Sequence, residues 1–300
     1  MSKGNEEALK RIHKLQTTNY SDNDFICLAL HNLMLEELPD LPSNIQSLEC
    51  HHNKLIKLPN LSIVLPNLSR FYCYCNNLKA LPNLPPNLTH LQCSNNELTE
   101  LPKLSPILQF LGCSSNYLKE LRNLPQTLTH LSCSINKLEK IFDLPQNLTD
   151  LNCSRNNLKE LPNIPLGLTH LDCSYNKLND LPNLPLTLYN LHCNNNKLKK
   201  LPTLPQNLGC LDCSDNELTE LPDLMAISST LTHLYCYNNK YLYIPLKIAQ
   251  RFGLKITPHY PIFAKKIQKM VRKWLQNKVQ TKVYEWLCSD ISFIVSTYVY

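Results

Sequence analysis

Hydrophobic and polar residues recur along this chain with a period of twenty positions. One copy, LTHLDCSYNKLNDLPNLP, occupies residues 168–185, and closely similar copies stand on either side of it. Within each copy, a Leu and a Cys separated by one residue alternate with polar residues, which is the period-two pattern of a half-buried β-strand. A fixed period of this length predicts a repeat solenoid in which each copy forms one coil.

The second half of each copy carries prolines, as in LPNLP at residues 181–185. Proline lacks a backbone N–H and restricts the residue before it, so this half is not expected to form a regular helix. The pattern instead predicts an extended, polyproline-like limb on the convex side, whose leucines reach the core. The stacked strand halves then form a parallel β-sheet on the concave face.

A cysteine occupies one position of each copy, and an asparagine follows it three residues later. The cysteines are Cys50, Cys73, Cys93, Cys113, Cys133, Cys153, Cys173, Cys193, Cys213 and Cys236. Stacked parallel side chains lie side by side, and a single line of sulfurs cannot surround one metal ion, so we expect reduced, buried packing residues. We expect the asparagines, from Asn53 to Asn239, to form a ladder that satisfies backbone groups at the turns.

The unit L-x-x-L-x-C-x-x-N-x-L-x-x-L-P-x-L-P identifies a leucine-rich repeat over residues 26–245. It resembles the short repeat class of effector proteins that Yersinia and Shigella inject into host cells, where it is a binding scaffold. The cysteine, the abundant Asn, Lys and Tyr, and the segment AKKIQKMVRKWLQNK (264–278) are most similar to uncharacterised leucine-rich-repeat proteins of giant mimiviruses. The resemblance implies a protein-binding solenoid, located in the host cytoplasm if the chain is viral.

Three regions are expected along the chain. Residues 1–24 form a helical N-terminal cap, residues 25–257 form the solenoid with its C-terminal cap, and residues 258–300 form a basic amphipathic helical tail. The first residues are charged rather than signal-like, and the apolar run ISFIVSTYVY is too short to cross a bilayer. We therefore expect a cytoplasmic protein without a transmembrane segment.

The outward strand residues of the concave face carry any binding specificity. Twelve of them are candidate partner-binding residues, with Arg and Tyr at one end, His and Asp in the middle, and His and Tyr at the other end: Arg70, Tyr72, Tyr74, His130, Asp150, His170, Asp172, His192, Asp212, His233, Tyr235 and Tyr237. Aromatic and Arg side chains are favoured interface anchors.

The central histidines and aspartates leave three interpretations open. They could contact a protein partner, bind Zn²⁺, or pair with one another on a solvated surface. Of these, we adopt protein contact, and we predict no metal and no other cofactor. Binding of a partner there is expected to weaken between pH 7 and 5, as the histidines change charge.

Two other functional classes are disfavoured by the residues. The outward positions have no stripe of Lys and Arg to bind phosphates, so nucleic acid is not an expected partner. No phosphate-binding glycine loop and no nucleophile beside a recognisable base appear, so we predict no enzymatic activity. Cys288-Ser289-Asp290 matches the C-x-D motif of effector ubiquitin ligases, but the chain has no room for their catalytic domain after the repeats. Ligase activity is therefore a remote alternative.

The net charge of +6 is concentrated in the tail, where residues 262–300 hold seven Lys and Arg against two acidic residues. IQKMVR resembles the first half of an IQ calmodulin-binding motif, although its second basic position falls on Asn277. This resemblance selects five candidate tail-binding residues: Ile267, Gln268, Arg272, Lys273 and Trp274. The helix could bind a calmodulin-like protein, bind an anionic membrane, or fold back with a solvated charged face.

The main prediction is a non-enzymatic scaffold that binds a protein on its concave face. The alternative is a host-directed effector that acts through the basic tail.

Overall fold

The computed structural model describes residues 2–18, 24–224, 227, 229–240, 242, 244 and 246–252. Short parallel strands, one from each coil, form an eleven-stranded sheet within this part of the chain. The strands are β1 (Cys27–Ala29), β2 (Ser47–Glu49), β3 (Arg70–Tyr72), β4 (His90–Gln92), β5 (Phe110–Gly112), β7 (His130–Ser132), β9 (Asp150–Asn152), β10 (His170–Asp172), β11 (Asn190–His192), β12 (Cys210–Asp212) and β13 (His233–Tyr235). The expected parallel-strand solenoid is confirmed.

Neighbouring strands pair without any offset between repeat positions. Leu171, for example, is paired with Leu151 on one side and with Leu191 on the other. We call each strand with its flanking residues a rung. Because all rungs are in register, a given repeat position forms a straight column across the sheet, and the columns alternate between the core and the exposed face.

Leucine and cysteine fill the core from the strand side, and leucine fills it from the limb side. Leu168, Leu171, Cys173 and Leu178 of one coil are all 0–1% exposed. The ten repeat cysteines are all buried, and every cysteine in the described part of the chain is a free thiol. Burial raises the pKa of these thiols, to about 12 for Cys113 and about 11 for the less enclosed Cys236.

The repeat asparagines connect successive rungs by hydrogen bonds. The Asn136 side-chain amide donates from Nδ2 to the carbonyl oxygens of Cys113, 3.0 Å away, and of Cys133, 3.1 Å away. Its Oδ1 accepts from the backbone N–H of Leu118 at 3.0 Å. One buried side chain thus satisfies polar backbone groups of two coils, and the same pattern recurs from Asn53 to Asn239.

A left-handed residue precedes each repeat asparagine. Asn95, Ile135 and Tyr175 have φ values of 54°, 52° and 53°. This conformation turns the chain out of the strand, and it is unfavourable for a β-branched residue such as Ile135. Since Ile135 adopts it nevertheless, the contacts between coils impose the turn, rather than the preference of the local residue.

Two limbs differ from the others because each lacks the first of the two prolines in the LPxLP motif. Arg122 and Phe142 stand where the other copies have the first proline of LPxLP, and a second parallel pair forms there between β6 (Glu120–Leu121) and β8 (Lys140–Ile141). The Phe142 N–H donates to the Leu121 carbonyl at 3.2 Å, a bond that proline cannot make.

Among the limbs that the structure describes in full, one departs from the predicted extended form. The coil between Cys50 and Cys73 is three residues longer than the twenty-residue period, and it contains the single-turn helix α2 (Leu61–Val64). Leu61 and Leu65 are completely buried, so the additional residues form a helical turn that still delivers leucines to the core.

Helices lie at both ends of the described sheet. Helix α1 (Lys3–Thr17) begins at Ser2, whose Oγ accepts from the Asn5 N–H, and buries Ala8, Ile12 and Leu15. The Arg11 guanidinium donates to the Ala29 carbonyl of β1 at 2.9 Å, which fixes the helix beside the first rung. Helix α3 (Leu246–Arg251) follows the last rung. None of the described helices has the length and apolar character needed to cross a bilayer.

The predicted boundaries of the three regions, 1–24, 25–257 and 258–300, stay predictions, and the tail lies outside the described residues.

We expect Asn136→Ala to lower the free energy of unfolding by about 3 kcal/mol, because it leaves buried backbone groups of two coils without partners. Urea denaturation followed by circular dichroism measures this change. Asn163→Ala, at an exposed limb position of a neighbouring coil, is the matched control and should stay within about 0.5 kcal/mol of the parent protein. Equal effects of the two substitutions would contradict the bridging role of Asn136.

The buried thiols should make the protein sensitive to alkali. Above the ordinary thiol pKa of about 9, the unfolded chain releases these protons while the folded chain retains them, so the free energy of unfolding falls as pH rises. Each buried thiol contributes a slope of about 1.4 kcal/mol per pH unit.

The loss of stability between pH 7.5 and 10 should therefore be roughly 3 kcal/mol smaller in Cys133→Ala/Cys153→Ala than in the parent protein. Urea denaturation at both pH values measures it. Leu131→Ala removes a core group that does not titrate, so it should lower stability at both pH values and leave the difference unchanged. A double variant with the parent's pH dependence would rule out the thiols as the cause.

Thiol labelling should distinguish the repeat cysteines from the others. With Ellman's reagent at pH 8, exposed Cys27 should react within minutes, whereas the ten buried repeat thiols should react only after denaturation. All fourteen cysteines should be titrated in denaturant without reductant. Rapid labelling of the repeat thiols in the native protein, or their absence after denaturation, would show that they are not buried free thiols.

Candidate functional site

The exposed face of the eleven-stranded sheet carries the residues that vary from coil to coil. We call this face the strand wall. It has three columns: the first and the last residue of each strand, such as His170 and Asp172 in β10, and the residue two positions after the strand, such as Ser174. Its first column includes Arg70, His90, Phe110, His130, Asp150, His170 and His233, and its second includes Glu49, Tyr72, Asp172, His192, Asp212 and Tyr235. The twelve residues selected from the sequence all lie on this face.

Asp150 lies between two histidines in the first column. Its Oδ2 is 3.4 Å from His130 Nε2, and its Oδ1 is 3.3 Å from His170 Nδ1. The three side chains are 40–51% exposed, and the contacts are ion pairs only when the histidines are protonated, so with solvent screening they contribute little to stability. The register of β7, β9 and β10 therefore creates a group of two imidazoles and one carboxylate that a partner can reach.

A threonine hydroxyl accompanies each of these histidines. Thr129 Oγ1 is 2.9 Å from His130 Nδ1, and it also lies 3.0 Å from the Gln109 carbonyl, to which it donates. The hydroxyl therefore links the imidazole to a backbone carbonyl of the preceding rung, which orients the ring.

The acidic residues of the second column are arranged differently. Asp172 Oδ1 accepts hydrogen bonds from the Ser174 N–H at 3.0 Å and from its hydroxyl at 2.6 Å. Asp212 makes the same two bonds to Ser214. His192 is in register between these aspartates, but no ion pair joins it to either one in the described part of the chain. Imidazole and carboxylate groups alternate in the middle of both columns, but among these central residues only Asp150, in the first column, lies within 3.5 Å of histidines of its own column.

A shallow depression of about 270 Å³ lies in the middle of the strand wall. Its lining includes His130, Asp150 and His170 of the first column and His192 of the second, with Phe110 at one end. Phe110 is 6.1 Å from His90 and 6.2 Å from His130, measured between ring centroids. Partial burial, helped by Arg70, lowers the pKa of His90. Phe110 thus joins the aromatic end of the wall to its polar centre, a role that was not assigned from the sequence.

The two ends of the wall differ in how firmly their aromatic residues are held. At one end, the Arg70 guanidinium lies 5.0 Å from the centre of the Phe25 ring, and Tyr74 stacks on His51 with ring centroids 4.2 Å apart. At the other end, Tyr235 and Tyr237 are 44% and 53% exposed. The exposed pair therefore offers the larger free aromatic surface to a partner.

A further cluster, which was not selected from the sequence, occupies the first two rungs. His31 and His51 stack with ring centroids 4.6 Å apart, and His31 Nδ1 is 3.4 Å from Glu49 Oε2. The register of β1 and β2 would have revealed it, because it pairs Ala29 with Glu49 and so places His31 beside His51. The first copy, ICLALHNLMLEELP, lacks the regular cysteine, which conceals this alignment.

The predicted tail-binding residues lie outside the described residues: Ile267, Gln268, Arg272, Lys273 and Trp274. Their role stays a prediction.

No protein-family model matches the sequence, and no curated protein does. Several solved structures are similar to it. The leucine-rich repeat domain of APL1B is 25% identical, with a TM-score of 0.61, over 79% of this chain and 73% of that domain. The functional domain of InlJ from Listeria monocytogenes, which includes a cysteine ladder, is 27% identical with a TM-score of 0.55, over 73% of this chain and 55% of that domain. YopM from Yersinia enterocolitica WA-314 is 30% identical with a TM-score of 0.47, over 77% of this chain and 68% of YopM.

Proposed function

We propose that this leucine-rich-repeat protein is a non-enzymatic scaffold that binds a protein partner on its strand wall. Leucine-rich-repeat folds are generally protein-interaction scaffolds, and the neighbouring structures belong to that class. The observation that carries the proposal is the arrangement of the wall itself. In-register rungs hold exposed aromatic, imidazole and carboxylate side chains, such as Tyr237, His170 and Asp150, on one continuous surface.

The charge on the wall suggests the chemistry of the partner. The whole chain is basic, yet the three columns carry Glu49, Asp150, Asp172 and Asp212 against a single Arg70. A surface of this sign favours a partner with a basic patch, because complementary potentials increase the rate of association and disfavour other partners. The same sign disfavours nucleic acid, since phosphate binding needs cationic residues.

The proposed division of roles follows from exposure. Tyr235 and Tyr237 would supply apolar anchoring, and the group of His130, Asp150 and His170 would supply polar contacts that fix the register of the partner. Tyr72, Tyr74 and Arg70 would extend the contact at the opposite end. Because strands hold these side chains, little conformational entropy would be lost on binding.

The test is quantitative capture from a cytoplasmic extract of eukaryotic cells, with the full-length protein as bait. We expect Asp150→Ala/His170→Ala and Tyr235→Ala/Tyr237→Ala each to reduce the recovery of a specific partner at least tenfold, a loss typical of interface anchors. The matched control, Lys159→Ala/Glu160→Ala, changes two exposed residues on a limb and should leave recovery within twofold.

Circular dichroism would verify that all variants are folded. If partners are retained by both wall variants and lost by the limb variant, the strand wall is not the binding surface.

A second candidate is an effector that acts through the basic tail, and the concentration of positive charge in residues 262–300 favours it. The same capture experiment separates the two. Lys273→Ala/Trp274→Ala should not affect a partner that binds the wall, but it should remove a calmodulin-like protein. Cytoplasmic location and viral origin remain part of this proposal, as does the remote ligase alternative that depends on Cys288.

A further inference from the structure

Three potential metal ligands converge on the first two rungs, at the N-terminal end of the strand wall. They are the imidazoles of His31 and His51 and the carboxylate of Glu49, and each offers a donor atom within 4.8 Å of the other two. All three side chains are half-buried. We propose that His31, Glu49 and His51 bind a divalent transition-metal ion such as Zn²⁺.

One ring nitrogen of each histidine in this cluster lacks a hydrogen-bond partner. Nδ1 of His31 and Nδ1 of His51 are buried, and neither forms a hydrogen bond within the described part of the chain. The 3.4 Å approach of Glu49 to His31 Nδ1 is a charge contact without hydrogen-bond geometry. Burying a polar nitrogen without a partner is unfavourable, and a metal ion would satisfy both nitrogens at once.

The fold leaves Glu49 free to reach these histidines. In four later rungs a serine stands two positions after the second-column residue and bonds to it, as Ser174 does to Asp172. Here the equivalent position is His51, so no serine hydroxyl competes for the Glu49 carboxylate. Glu49 is in register with Ala29, whose small side chain leaves room toward the preceding rung.

The two histidines are held by both backbone and ring contacts. The Leu30 N–H donates to the Glu49 carbonyl at 2.7 Å, and the Asn32 N–H donates to the His51 carbonyl at 3.2 Å, so His31 is fixed opposite its partners. Tyr74 stacks on the other face of His51, with an interplanar angle of 7°. The backbone at both histidines is therefore fixed, and metal binding would tilt the stacked rings so that a nitrogen of each points at the ion.

Two histidines and one carboxylate form a donor set suited to Zn²⁺, Co²⁺ or Ni²⁺ rather than to Mg²⁺ or Ca²⁺. Donors around a tetrahedral ion at about 2.1 Å lie about 3.4 Å apart, so side-chain rotations would close the present spacing. The Cys27 Sγ lies 3.7 Å from Glu49 Oε1, and it could approach as a fourth ligand.

The central group of His130, Asp150 and His170 is a poorer candidate for metal binding. Both of its histidines already have Nδ1 within 2.9 Å of a threonine hydroxyl, and their side chains are about half exposed. A metal ion there would have to displace existing hydrogen bonds and compete with solvent. The first two rungs offer buried nitrogens without such bonds, so we place the site there.

The experiment titrates Co²⁺ and Zn²⁺ into the full-length protein, purified without a histidine tag and kept reduced. Visible d–d absorption of Co²⁺ reports on coordination, and competition with a chromophoric chelator gives the Zn²⁺ affinity. We expect one equivalent to bind, with affinity reduced at least tenfold in both His51→Ala and Glu49→Gln. Zn²⁺ should also raise the Tm of the parent protein but not that of the two variants.

His130→Ala/His170→Ala is the matched control, and it should bind Zn²⁺ as the parent does. Glu49→Gln keeps the shape of the side chain, so it separates loss of a ligand from loss of folding. The proposal is overturned if the protein binds no Zn²⁺, if binding persists in both His51→Ala and Glu49→Gln, or if only the control variant loses it.

Discussion

Everything in this structure depends on hydrogen bonding between one coil and the next. Each rung leaves polar backbone groups that only its neighbours can reach, and the repeat asparagine completes the exchange by bonding backbone groups of two coils from inside the core. A coil displaced by one residue would lose these bonds and would also exchange its buried and exposed residues. The same requirement explains why even Ile135 adopts a left-handed conformation before Asn136.

This constraint determines which residues can vary. The core columns must present the same shape at each level, so leucine recurs, and cysteine recurs beside the asparagine, where a small buried side chain fits. Repeating a titratable group in this way has a consequence, because burial raises the pKa of nearly identical thiols along the whole solenoid. The stability of the core is thereby coupled to alkaline pH, as it would not be with alanine.

Much of this architecture could be predicted from the sequence, because the period alone determines which positions stack. The parallel sheet, the buried cysteines and the connecting asparagines all follow from copying one unit in register. Features that break the repeat could not be predicted in the same way. Helix α2 depends on where three additional residues are accommodated, and the pair of β6 and β8 depends on two positions that lack proline.

The candidate site shows the same division. The residues of each column could be predicted from the period, but the hydrogen-bond or charge contact that each side chain makes could not. Asp150 pairs with histidines, whereas Asp172 bonds to a serine two residues away in its own rung, and both outcomes are compatible with the same spacing. The cluster at His31 could not be predicted from the repeat, because its rung lacks the cysteine by which the other copies are aligned. Local competition between hydrogen-bond partners, rather than periodicity, decides these contacts.

The same comparison explains why we propose the strand wall, rather than the limbs, as the functional surface. A wall side chain has a neighbour on the rung before it and another on the rung after it, both at fixed spacing, so one substitution changes a contact without moving the backbone. Limb residues lack this regular support, because prolines interrupt their backbone bonding in most coils. Where Arg122 and Phe142 replace the first proline of the limb, a short two-stranded sheet forms. Regular hydrogen bonding thus determines where side chains are held in fixed positions, and on most described coils only the strand side, the surface that we propose for binding, provides it.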